Sequence, residues 1–193
     1  MMAIDRRTLI VALGSSAVAT TVARANPVAD RKPFFRFHPY AYKLGSLKAS
    51  TALCEICNRP CVWQHDGPIY AQKEYEKVCA SCVADGRLLR ADPGMQLHDI
   101  TFTDCDPALE REVLTRTPGV ASFNPFEWPV MARKPLAFIG EGESPDFRGN
   151  KAILAAIDRA WKAMDGEGKA PLHYTLIFRQ LDGEAIKAVF DFN

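Results

Sequence analysis

Apolar residues recur at helical spacing most clearly near the carboxyl end. Ile153, Ile157, Ala160, Trp161 and Met164 share one face, which predicts a helix from Lys151 to Met164, ended by Asp165-Gly166. A shorter helix is expected after Asp106-Pro107, lined on one side by Leu109, Val113 and Leu114 and stopped by Pro118-Gly119. Period-two alternation follows. Tyr174, Leu176 and Phe178 alternate on one run, and Ile186, Ala188, Phe190 and Phe192 on another, predicting a β-hairpin around Asp182-Gly183. A two-residue turn would set Phe178 opposite Lys187 and mix the faces. An odd-numbered loop sets Phe178 opposite Ala188 and Leu176 opposite Phe190, and is the expected register. Farther forward, Val62–His65 and Ile69–Ala71 are short β-prone runs on either side of Asp66-Gly67-Pro68, which predicts a second hairpin. Phe34, Phe35, Phe37, Tyr40 and Tyr42 are expected on the core. Trp63, Trp128 and Trp161 also read as core or interface residues. Helices and hairpins that do not alternate as βαβ units indicate an α+β fold.

The first 25 residues carry a different pattern. Asp5-Arg6-Arg7-Thr8-Leu9-Ile10 is a charged start, and Thr8 to Val22 is a weakly apolar stretch. Ala23-Arg24-Ala25 then offers a small-x-small cleavage site. The paired arginines ahead of Leu9 and Ile10 resemble a twin-arginine export signal, although Asp5 stands where Ser or Thr is usual and Val11 where Lys is common. Residues 1–25 are therefore expected to be a signal peptide, and 26–193 one domain with a periplasmic destination. The protein would stay cytoplasmic if the leader does not function. Removing Arg6, Arg7, Arg24 and Asp5 leaves 21 basic against 22 acidic residues. That balance argues against holding a phosphate backbone by charge, so no nucleic-acid partner is expected. No apolar run after the leader is long enough to cross a bilayer, so no membrane association is expected there.

The six cysteines change the picture most. Cys54-Glu-Ile-Cys57 and Cys79-Ala-Ser-Cys82 are two C-x-x-C pairs separated by 21 residues. Each tight turn brings two sulfurs to the same side, and four thiolates in a tetrahedron suit one structural Zn²⁺. Asn58, after the first pair, tolerates the left-handed conformation that such a turn often needs. The predicted site is Cys54, Cys57, Cys79 and Cys82 around one zinc ion. The module would be a small treble-clef-like zinc knuckle, followed by helices and the C-terminal hairpin. Disulfides suit an oxidising compartment, and a redox-active dithiol is the other alternative, but neither pair lies between a strand and a long helix of a βαβ unit. Cys61 and Cys105 are expected outside the site, where they could join in a disulfide. Asp104 and Asp106 should raise the Cys105 thiol pKa.

From Phe35 to Gly140 the chain resembles the CbrC family, bacterial proteins without an established reaction, one of them associated with colicin tolerance. The resemblance runs through Phe35-Arg-Phe-His38-Pro39, Gly45, the pair Cys54 and Cys57, Gly67-Pro68-Ile69-Tyr70, and Cys79 to Gly86. It continues through Phe102-Thr-Asp104, Arg116-Thr117-Pro118-Gly119, Glu127-Trp128 and Ala137 to Gly140. It implies a metal-binding cysteine module. It also implies a His-Cys pair and a further C-x-x-C-Gly later in the chain, where this sequence has Met131-Ala132 and Gln180 to Gly183.

His38, His65, His98 and His173 form no catalytic spacing with one another. His38, ahead of Pro39, reads as a structural hydrogen-bonding residue, and His65 is the one histidine placed to replace or shield a metal ligand. Gly140-Glu-Gly142 and Gly166-Glu-Gly168 read as turns. No catalytic residue or organic cofactor is predicted. The expected function is a non-enzymatic zinc-binding protein of the cell envelope that engages an unidentified protein partner. A thiol-dependent oxidoreductase is the alternative.

Overall fold

The computed structural model describes residues 32–192, so residues 1–25, expected to be a signal peptide, lie outside the described residues. The elements run β1 (Leu47–Leu53), β2 (Pro60–His65), α1 (Ala80–Ala84), α2 (Arg87–Ala91), β3 (Ile100–Thr101), α3 (Pro107–Arg116) and β4 (Phe126–Glu127). Then follow β5 (Val130–Met131), β6 (Lys134–Pro135), β7 (Ala137–Glu141), α4 (Lys151–Ala163), β8 (Thr175–Arg179) and β9 (Ile186–Phe190). Helix and strand are mixed, as in an α+β fold. The parallel pair, β3 with β4 across α3, has only two residues in each strand, and the other named pairs are antiparallel. Among the described residues no helix is long and apolar enough to cross a membrane.

Both expected helices form, each at its cap. The Asp106 carboxylate accepts from Ala108 N and Leu109 N at 2.9 and 3.3 Å, with Pro107 at the first helical position. Asn150 Oδ1 accepts from Ala152 N and Ile153 N at 3.1 and 3.2 Å. These bonds satisfy amides that the first helical turn leaves without partners.

The C-terminal sheet is antiparallel in the order β7-β8-β9. Its hairpin forms, but in the register the alternation argued against: Phe178 faces Lys187, and Leu176 faces Val189. The reason is that β8 is central and covered on both sides, so Thr175, Leu176, Ile177 and Phe178 are all buried. Phe178 and Leu176 pack with Trp128, Phe37 and Phe138 on one face. Ile177 packs with Ile153 and Ile157 of α4 on the other, where Ile186, Ala188 and Phe190 of β9 join it. Alternation in a strand with two buried faces says nothing about which face its partner's residues must take.

The forward hairpin also differs. β2 pairs with β1, not with residues 69–71, placing Ala49 opposite Trp63 and Leu47 opposite His65. Tyr70 instead bridges Gln96. The turn that joins the strands is the first cysteine pair itself. Phe35, Phe37 and Tyr42 join the core as expected, whereas Phe34 and Tyr40 are exposed. Gly140 falls within β7, beside an irregular register step, and not in a turn.

Candidate metal centre

Two folded devices aim the thiols at one point. In the first, the chain leaves β1 and turns tightly: Asn58 N donates to Cys54 O at 2.8 Å, and Cys54 N donates to Arg59 O at 2.8 Å. Asn58 adopts φ 53°, the left-handed conformation expected of it. Just beyond, β1 bulges opposite Cys61, and Val62 takes φ 54°, an outlier for a β-branched residue. In the second device, Cys79 sits at the start of α1 and Cys82 one turn in. Cys82 N and Val83 N donate to Cys79 O. Glu55 joins the two, because its carboxylate accepts from Glu76 N and Lys77 N at 2.9 and 2.7 Å. Arg116 closes the far end of α1, donating from Nε and Nη2 to Ala84 O at 2.9 and 2.6 Å. The sequence reading passed over Glu55, although its place inside the first C-x-x-C pair made it a natural tie; nothing local marked Arg116.

All four predicted sulfurs converge within 4.8 Å of one another. Cys54 Sγ and Cys82 Sγ are 3.7 Å apart, Cys57 Sγ and Cys79 Sγ are 3.8 Å apart, and all six cysteines are free thiols. Sulfurs on a tetrahedron about 2.3 Å from a central ion would lie roughly 3.8 Å apart, so these two pairs have the spacing of ligands to one ion, and the four together could hold a metal. Cys54 and Cys82 are fully buried, Cys79 nearly so, and Cys57 partly exposed. The site is therefore closed by protein on most sides.

The electrostatics agree. Hydrogen bonding with Cys79 and then Cys82 pulls the Cys54 thiol far below its ordinary pKa. The same contact with Cys54 pushes Cys79 up to about 12 and drives Cys82 far upward. One thiolate is thus welcome, and further negative charge is resisted. A divalent cation supplies what would let the others ionise.

The remaining candidates stand apart. Cys61 is buried beside the cluster but is not among the four sulfurs that converge; burial and the nearby Cys54 and Cys57 raise its thiol pKa to about 11. Cys105 lies at the start of α3 with its pKa raised, by burial first and then by Glu110 and Asp106. As free thiols, the two do not form the disulfide considered above. His65 is not among the converging ligands: its Nε2 accepts from Gly119 N at 3.2 Å. His38 Nε2 lies 2.9 Å from Ser46 Oγ, the structural hydrogen bond expected of it.

Fold and site together define an α+β protein with a four-cysteine cluster, able to hold a metal ion, ahead of a C-terminal strand set. The chain belongs to UPF0167, an uncharacterised protein family whose model matches residues 33–176. It is similar to the UPF0167 protein Mb2317 of Mycobacterium bovis, 33% identical over 145 residues that cover 70% of this chain and 74% of the relative. It also resembles the UPF0167 protein PA1536 of Pseudomonas aeruginosa, 29% identical over 119 residues, 56% of this chain and 63% of that protein. These matches do not carry the CbrC name expected from the motif stretches. No solved structure matches the chain.

Proposed function

We propose that the protein is a non-enzymatic zinc-binding module of the cell envelope that engages another protein. The observation that carries the metal reading is the convergence of four thiols from two C-x-x-C turns within 4.8 Å of one another, two of the pairs at 3.7 and 3.8 Å. Four sulfurs leave no open coordination position, so the ion would staple a knuckle to the start of α1, in a treble-clef-like arrangement, and would not activate a substrate. Zinc suits an all-thiolate tetrahedron better than the hard cations do. A dithiol oxidoreductase needs one exposed, reactive pair, whereas here each pair points into the other. Export follows from the paired arginines and Ala23-Arg-Ala25. A folded-protein route would let the thiols take up metal in the reducing cytoplasm.

Native mass spectrometry of the full chain expressed in cells tests both parts. One zinc per chain is expected, together with cleavage after Ala25. Cys57→Ser should abolish the stoichiometric metal, and replacing Arg6 and Arg7 by lysine should leave uncleaved precursor. Full zinc at unchanged affinity in the Cys57→Ser variant would sink the four-thiolate site.

A further inference from the structure

Away from the thiols, two hollows of about 250 and 320 Å³ meet along a shared wall of Ala121 and Glu141, forming one trough. One side of it is Pro118–Ser122, a stretch without bend or turn. Among the described residues no backbone N–H or C=O of Val120, Ala121 or Ser122 has a hydrogen-bond partner, and Ala121 and Ser122 are exposed. The stretch is held at both ends. His98 Nε2 lies 3.0 Å from Thr117 O, and His65 Nε2 accepts from Gly119 N. At the other end Asp191 accepts from Phe123 N and Asn124 N at 2.7 and 3.1 Å. A stretch of backbone anchored at both ends, with N–H and C=O groups left free beside a hollow, can receive an added peptide strand.

Charge and shape say what kind of strand. Across the trough lie Glu141 and Glu143, both exposed and without an ion pair among the described residues. The lysine in the wall, Lys48, already pairs with Asp66. Phe123 is 68% exposed and Tyr174 37%, with ring centroids 6.2 Å apart, so aromatic faces stand beside the free carboxylates. Carboxylates next to an exposed aromatic ring select a side chain with a cationic head and an apolar stem.

We infer that this trough takes an extended segment of a partner protein bearing lysine or arginine. The segment's backbone pairs with Val120–Ser122, and its basic side chains lie against Glu141 and Glu143. The inference rests on the reading of the protein as an interaction module, and does not depend on the identity of the metal.

The probe is a fluorescein-labelled hexapeptide of alternating valine and lysine, titrated into the full zinc-loaded chain in 0.15 M salt and followed by anisotropy. Saturable binding is expected, with backbone amide NMR shifts concentrated at Val120–Ser122 and Glu141–Glu143. A Glu141→Gln/Glu143→Gln double variant should weaken it at least tenfold, and N-methylation of alternate peptide amides should do the same. Asp158→Asn, on the exposed side of α4, should change nothing. Equal binding by the double variant, or shifts confined to other surfaces, would overturn the trough. Insulin disulfide reduction, measured on the same protein, separates the two readings. Peptide silence without thiol turnover overturns the trough alone, and peptide silence with turnover overturns the interaction-module reading as well.

Discussion

The front and back of this protein hold their shape by different means. From β1 to α2 the helices are five residues long, and neither begins with a side-chain cap hydrogen bond. The residues buried deepest there include Cys54 and Cys82. From β7 to β9 a three-stranded sheet is covered on both faces, and the 13-residue α4 packs on it behind a capped start. Its core contains Phe138 and Phe178, with Trp128 beside them. The back has a long capped helix laid on its sheet. The front has its own apolar cluster, with Leu47, Val83, Leu88, Met95 and Leu97 in it, but its helices are too short to hold without tertiary partners, and the thiol cluster is one of these.

That contrast breaks or holds first on removal of the proposed metal. Structural zinc contributes on the order of 10–16 kcal/mol in zinc-finger peptides, more than most domains have in total. Chelation should therefore abolish amide-exchange protection across residues 47–97, while Ile177, Phe178, Ile153 and Ile157 keep theirs. Equal loss in both regions, measured by hydrogen exchange, would make the molecule one cooperative unit.

The next effect lies at the junction. His38, His65 and His98 are all buried, and burial lowers their pKa values to about 3, 4 and 4. His98 stacks edge-on against Trp128, His38 stands edge-on to Phe138, and His65 ties the end of β2 to Gly119. Their folded pKa values lie below the unfolded value near 6.5, so the unfolded chain binds more protons between the two. Stability from neutral imidazoles is therefore full above about pH 6.5 and is lost as pH falls toward 4. The cost is on the order of 3 kcal/mol per histidine once both values are passed. Denaturant midpoints should fall steeply from pH 6.5 to 4.5, and less steeply in His98→Gln. A flat profile would mean that these imidazoles are not buried neutral.

How much of this could be read from the chain depended on how local the cause was. The helix cap at Asp106 and the left-handed Asn58 depend on a few adjacent residues, and each forms as expected; the cap at Asn150 has an equally local cause but was not singled out. The four thiols are named by spacing alone. The hairpin register was not legible, because it depends on α4 covering the face of β8 opposite Trp128, a long-range fact. The pairing of β2 with β1 was missed for a related reason: Asp66-Gly67-Pro68 is a strong turn signal, but the seven-residue β1, which no alternation singled out, offers β2 a longer edge than residues 69–71. The positions where the CbrC resemblance implied further cysteines follow the same logic. Lys134, near Met131-Ala132, pairs with Asp182 at 3.2 Å, so the chain brings those two stretches together without a thiol in either.

In the back, Trp128→Ala should cost about 3–5 kcal/mol. It empties a fully buried site and removes the indole N–H bond to Leu136 O at 2.8 Å. Thermal unfolding should shift sharply, while the purified variant keeps the parent's metal content. A matching loss of metal would show that the front borrows its stability from this core.

The smallest effect separates the two regions by sign. Asn150→Ala removes a cap that accepts two amides, and should cost about 1 kcal/mol with the metal unaffected. At the start of α1 the same position is held by Cys79, which makes no side-chain cap bond. Serine caps helices well, so if Cys79 only began a helix, Cys79→Ser should stabilise α1 slightly. If Cys79 is a ligand, the same change removes one of four thiolates and should destabilise the front despite the better cap. Denaturant unfolding of the two variants, each with its metal content measured, reads both signs. A Cys79→Ser protein that is as stable as its parent would mean that α1 is held by its packing, and the front would then need no more help than the back.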